Sequence, residues 1–182
     1  MTRNQRLWIG FVVLGLGAAV LGFSVARYFR ATSVEKPATA ASFSLRDLSG
    51  KVYTSESFRG KLVLLNFWAT WCPPCRREIP LFMEAEKRYR DRGLAIVGIS
   101  IDSPDAVARY WQEMRINYTL LLADDDAMAL MAAYGNPGGV LPYSVLIRPD
   151  GTVASAKLGP FAEKELTDLI EAQLPTPQAP SR

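Results

Sequence analysis

The sequence predicts an α/β domain with a mixed central sheet flanked by helices, an N-terminal β-hairpin extension and, before that, a membrane-spanning helix. Three observations predict this. Strand-like apolar runs alternate with amphipathic stretches between residues 43 and 174, the pattern of a layered α/β fold. Turn signals near both ends of that region add antiparallel hairpins to an otherwise parallel arrangement. Ahead of them, Leu7 to Ala26 is apolar except for Ser24, and its length of about 20 residues is what a helix needs to cross a bilayer.

The elements follow in chain order. Residues 1–6 form a short basic head, and 7–29 read as a transmembrane anchor or signal segment. Arg3 and Arg6 precede the apolar run, Arg27 and Arg30 follow it, and Trp8, Tyr28 and Phe29 suit the two interfaces. Ser24-Val25-Ala26 would also serve a cleavable signal peptide, although the run exceeds the usual apolar length of one. Lys/Arg counts on the two sides are too similar to orient the segment. A single segment with a short basic head places residues 1–6 in the cytoplasm and the chain beyond it outside. Residues 30–42, rich in Ala, Thr and Ser, read as a linker.

Phe43-Ser44-Leu45 and Val52-Tyr53-Thr54 flank Ser49-Gly50-Lys51 as a hairpin. Lys61–Trp68 is a buried central strand because its run is almost continuously apolar. Helical periodicity from Pro74 to about Asp91 closes at Gly93. Leu94–Ile101 is a second buried strand. Ser103 and Pro104 open a helix as N-cap and first residue, running to about Arg115. Thr119–Leu122 is a short strand and Asp126–Tyr134 a helix. After the break at 135–139, Tyr143–Ile147, a turn at Pro149-Asp150-Gly151 and Thr152–Lys157 make an antiparallel hairpin. Phe161–Leu174 is a last amphipathic helix, and 175–182, with three prolines, a disordered tail.

Composition removes several function classes. Five of the 21 Lys and Arg residues and one of the 18 Asp and Glu residues precede Pro37. That leaves 16 basic against 17 acidic residues, with no basic stripe for nucleic acid. The chain has no histidine and two cysteines, so it offers no imidazole base, and the cysteines cannot complete a structural zinc site unless carboxylates or another chain contribute. Arg76 after Cys75 rules out the haem-attachment pattern. No metal and no cofactor is expected beyond the cysteine pair.

Cys72-Pro73-Pro74-Cys75 lies where the strand ending at Trp68 gives way to a helix. Two thiols spaced this way can close and reopen a disulfide, and a helix start favours the thiolate that does so. A purely structural disulfide would close too small a loop to constrain the unfolded chain much. Pro74 suits the first turn, where its missing N–H is no loss. Trp71 is placed to shield the disulfide or meet a partner. Trp68, Phe67, Phe82, Met83 and Trp111 read as packing, and Arg76 and Arg77 as a source of positive potential or a wet helix surface.

The run from Asn66 to Pro80, Asn-Phe-Trp-Ala-Thr-Trp-Cys-Pro-Pro-Cys-Arg-Arg-Glu-Ile-Pro, resembles the active-site segment of thioredoxin-fold proteins. More narrowly, it is similar to TlpA/ResA-type membrane-tethered thiol–disulfide oxidoreductases, over about residues 42–174. The resemblance implies a thioredoxin-like fold over 43–174 and a redox-active Cys72–Cys75 disulfide. Cys72 is then the exposed nucleophile and Cys75 the resolving thiol. Gly139-Val140-Leu141-Pro142-Tyr143-Ser144 resembles the segment carrying the family's cis-proline, which implies that Leu141 and Pro142 receive the substrate backbone. Asn66 stands where thioredoxins carry a buried aspartate. Glu78 matches the glutamate that the TlpA/ResA type places near the disulfide, which implies that it relays the proton; a solvated helix carboxylate is the other reading. Pro80 falls where the family's helix kinks.

By the same resemblance the chain is an extracytoplasmic disulfide reductase, single-pass in the inner membrane. Its partners are protein disulfides, such as those of apocytochrome c or of a copper-site assembly protein, and a membrane thiol donor re-reduces it. A disulfide-forming oxidase or isomerase uses the same motif, and the Pro-Pro dipeptide does not set the direction. Leu94–Asp126 also resembles peroxiredoxin-type sequence, which carries a peroxidase reading, and a binding module that has kept the fold completes the alternatives.

Overall fold

The computed structural model describes residues 37–123 and 126–174. The expected segments at 1–6, 7–29 and 175–182 and most of the linker lie outside them. Among the described residues no helix is long and apolar enough to cross a membrane.

These residues form β1 (Ser44–Asp47), β2 (Val52–Thr54), β3 (Leu62–Trp68), α1 (Pro73–Tyr89), β4 (Leu94–Ser100), α2 (Pro104–Met114), β5 (Thr119–Leu122), α3 (Ala127–Ala133), β6 (Tyr143–Ile147), β7 (Val153–Leu158) and α4 (Glu163–Glu171). Short 3-10 turns at Ser55–Phe58 and Arg90–Arg92 were not foreseen. The strands make one sheet in the order β2-β1-β5-β4-β3-β6-β7. β3, β4 and β5 are parallel, whereas β6 and β7 on one side and β1 and β2 on the other are antiparallel. Every residue of β3, β4 and β6 is buried, which their near-continuous apolar sequences require of a sheet covered on both faces.

Alternation along β3 divides the two faces. Leu62, Leu64 and Trp68 join a core with Cys75, Ile79 and Phe82 of α1, Tyr110 of α2 and Leu166 and Ile170 of α4. On the other face Phe67 packs against Tyr134 and Tyr143, with ring centroids 5.9 and 6.2 Å away. Gly98 of β4 lies beside Asn66 in the parallel register. A Cβ there would fall 2.7 Å from Leu120 Cδ2, 3.1 Å from Trp68 Nε1 and 3.2 Å from Tyr118 Cε2. A glycine at that position lets three large side chains meet over the strand.

Three expectations need correcting. Residues 38–41, read as linker, are bound to the domain: Val153 N–H donates to Ala38 O, Ala40 N–H to Gly151 O and Tyr134 Oη–H to Ala41 O at 3.1, 2.9 and 2.7 Å. Composition does not reveal that a backbone donor, a backbone acceptor and a tyrosine await it. Ser103 sits at the N-cap of α2 as expected, but without the side-chain cap bond; its own N–H donates to Asp102 Oδ1 at 2.8 Å. Trp111 is exposed rather than core, its Nε1–H closing the end of α2 on Ile116 O at 3.0 Å.

Candidate active site

The site is built at the C-terminal end of β3, where parallel strands feed helices and leave a crevice. Asp102, just past β4, accepts hydrogen bonds from both the backbone N–H and the hydroxyl of Thr70, and Cys72 N–H donates to Ala69 O at 3.2 Å. The loop between β3 and α1 is thereby tied to the neighbouring strand. Nothing in the sequence marked Thr70 and Asp102 as partners, because they are 32 residues apart.

Cys72 is the N-cap of α1, with Pro73 and Pro74 in its first turn. Neither proline has an N–H. The first donor of the helix is therefore Cys75 N–H, and it points at Cys72 Sγ, 3.3 Å away. The two cysteines form a disulfide with Cα atoms 5.3 Å apart. Cys72, expected to be exposed, is only 4% so, because its sulfur turns inward to Cys75, which is fully buried. Trp71 beside it is 64% exposed, and Arg76 stacks its guanidinium over Tyr110 at 5.3 Å.

One turn after Cys75, Glu78 is 1% exposed, so the solvated-carboxylate reading does not hold. Its Oε1 accepts from Asn66 Nδ2 at 3.0 Å and its Oε2 from Phe161 N–H at 3.1 Å. Burial pushes the carboxyl up to about 7, against the opposing pull of those two donors and of Lys157. Desolvation wins because it penalises the charged form more than two hydrogen bonds and one cation favour it. Asn66 also donates to Ser144 Oγ at 2.9 Å, and its Oδ1 is buried without a hydrogen-bond partner among the described residues. Ser144 was missed, although a serine inside a run of buried strand residues was the available signal.

The Leu141–Pro142 peptide is cis. Pro142 lies immediately before β6, whose Tyr143 pairs with Phe67 of β3, so the proline reaches the same end of the sheet as the disulfide. Pro142 O is taken by Gly159 N–H at 2.9 Å, whereas Leu141 belongs to no strand and is half-buried. Asn136 holds the approach to this turn, donating from Nδ2 to Val140 O at 2.8 Å and accepting from Val140 N–H at 3.2 Å. No sequence signal singled out Asn136. Pro80 lies within α1, which continues through it, and Asn66, Trp71, Pro73 and Pro74 all border the disulfide loop or its carboxylate. No group of residues able to hold a metal ion occurs among the described residues.

Thiol–disulfide exchange is the chemistry this arrangement can carry: a closed cysteine pair, an N–H aimed at one sulfur, and a carboxylate able to hold or release a proton near neutrality. The sequence pattern of the AhpC/TSA family matches residues 37–156. The chain is 33% identical to the thiol-disulfide oxidoreductase ResA of Geobacillus thermodenitrificans, over 96% of this chain and 100% of that one. It is 31% identical to the ResA of Bacillus subtilis, over 93% and 94%. Among solved structures, a thiol:disulfide interchange protein of the thioredoxin family from Chlorobium tepidum superposes with a TM-score of 0.67 at 32% identity, covering 78% of this chain and 99% of that one.

Proposed function

The chain belongs to the AhpC/TSA family as a ResA-like thiol–disulfide oxidoreductase, and on that premise we propose that it works as an extracytoplasmic disulfide reductase. The observation that carries the reading is the buried Glu78 carboxyl one turn beyond Cys75, placed to take the proton that Cys75 must lose when it attacks a mixed disulfide. The direction is set by the reduction potential of the Cys72–Cys75 pair: one whose reduced form is not specially stabilised gives up its electrons readily, whereas strong oxidants of this kind stabilise the reduced form.

In the reaction, Cys72 Sγ attacks one sulfur of the substrate disulfide and releases the other as a thiolate, leaving a mixed disulfide. Cys75 Sγ then attacks Cys72 Sγ, expelling the second substrate thiol. The substrate gains two electrons and the protein ends as the Cys72–Cys75 disulfide. Glu78 accepts the Cys75 proton. Asn66 serves both forms of Glu78: Nδ2 donates to the carboxylate, and a half-turn of the amide brings Oδ1 to the protonated acid, with the Ser144 hydroxyl reversing its role in step. The backbone at Leu141 is open to an extended substrate segment.

Residues 7–29 anchor the domain on the outer face of the membrane, and a membrane thiol donor restores the dithiol. Apocytochrome c or a copper-site assembly protein is the substrate that suits such a reductase. Equilibration of the full-length chain with thiol buffers tests the direction: a potential below about −220 mV is expected, and one above about −150 mV refutes the reductase in favour of the oxidase. Cys75→Ser should hold substrates as mixed disulfides on Cys72, while Cys72→Ser holds none. Turnover of hydrogen peroxide would move the assignment to a peroxidase.

A further inference from the structure

Asn66, Ser144 and Lys157 lie side by side across β3, β6 and β7, since Asn66 pairs with Ser144 and Ser144 with Lys157. Paired residues share a face of the sheet, so Lys157 rises on the face that carries Glu78. Its stem passes Phe161, with Nζ 5.4 Å from the ring centroid, and Phe161 is the residue whose N–H is bonded to Glu78 Oε2. Nζ itself ends on Glu165 Oε1 at 2.8 Å. Glu165 is held in turn by Ala162 N–H at the start of α4, 3.5 Å from Oε2. The Lys157 side chain is 29% exposed and that of Glu165 47%, so the lysine spans from the buried carboxylate to solvent.

The remaining groups that face Glu78 are neutral or anionic. Asn66 and Ser144 come from β3 and β6. The Tyr118 hydroxyl, ahead of β5, is buried, which together with the nearby Glu78 charge pushes its own titration up. Arg76 and Arg77 of α1 are exposed, and Arg76 is committed to the Tyr110 ring.

We propose that Lys157 is a positioning residue for proton transfer at Glu78, held at the surface by Glu165 and drawn inward as Glu78 ionises. An exposed ion pair such as Lys157–Glu165 is weak, while a buried carboxylate left without a counter-charge is costly. The balance of the lysine between its two acids therefore tips with the charge on Glu78. Its flexible four-carbon stem permits the movement. Glu165 thus acts on Glu78 from the surface by competing for one cation.

This inference rests on the reading of Glu78 as the proton carrier, and its test is separable from that reading. The readout is the ¹³C titration of the Glu78 side-chain carboxyl in the oxidised full-length chain, assigned by its loss in Glu78→Gln. Lys157→Met should raise the midpoint by about one pH unit. Glu165→Gln should lower it, because the lysine is freed. In the Lys157→Met background the effect of Glu165→Gln should largely vanish, which a direct charge effect of Glu165 would not do. The pH–rate profile for substrate reduction should move in the same directions. An unmoved midpoint in Lys157→Met, or a full Glu165→Gln shift without the lysine, overturns the proposal. An unchanged pH–rate profile for Glu78→Gln would instead refute the proton-carrier reading and leave the equilibrium titration standing.

Discussion

Replacing Glu78 by Gln separates charge from shape at the centre of the site. The glutamine can keep both hydrogen bonds: its oxygen accepts from Phe161 N–H, and its amide donates to Asn66 Oδ1, an acceptor that is buried and unpartnered in the native protein. What disappears is the ionisation. The carboxyl titrates at about 7 in the folded protein against an ordinary 4.5. Because the folded value is the higher one, the folded state holds a proton that the unfolded chain has released in that interval. Stability is then greatest below the unfolded value and falls as pH rises from about 4.5 through about 7. Between about pH 5 and about pH 8 this one group costs the wild type about 2.5 kcal/mol. Urea denaturation of the oxidised protein at the two pH values should show that loss in wild type relative to Glu78→Gln, the variant gaining on wild type as pH rises. The same substitution should slow substrate reduction near neutrality by about a hundredfold and remove the step near pH 7 from its profile. Parallel stability curves for the two proteins would refute the buried, neutral-to-charged carboxylate on which the mechanism depends.

Two further substitutions probe the packing behind the site. Gly98→Ala forces a methyl against Leu120, Trp68 and Tyr118 and should destabilise the protein by about 1–3 kcal/mol, read as an earlier denaturation midpoint. Tyr118→Phe removes a buried hydroxyl that has no hydrogen-bond partner among the described residues. Thermal unfolding should show it unchanged or more stable by about 1 kcal/mol, and a loss of stability would mean that the hydroxyl has a partner.

Where a pattern is local and repeats along the chain, the sequence was legible. The buried strands β3 and β4 announced themselves as nearly continuous apolar runs, and the ends of β6, read as half of a hairpin, match their expectation to the residue. The final helix was shorter than its amphipathic stretch: Phe161 and Leu174 are buried in the core but lie outside α4, because burial and helical hydrogen bonding are separate demands. Composition could not distinguish residues 38–41 from a linker, since what holds them is the backbone of Gly151 and Val153 and the hydroxyl of Tyr134, about a hundred residues away.

The sequence by itself pointed to the reaction class: two cysteines two residues apart at a strand-to-helix junction, in a chain without histidine, favour thiol–disulfide exchange over the peroxidase and binding-module readings. Glu78 could be singled out through the resemblance to the TlpA/ResA type, but its character could not be read from the sequence. A carboxylate three residues past Cys75 is an ordinary surface group unless a strand asparagine, the backbone of Phe161 and the cover of α4 shut water out around it. Only the tertiary structure makes it an acid that titrates near neutrality, because desolvation depends on what packs over a group, and those partners come from positions 12 and 83 residues away.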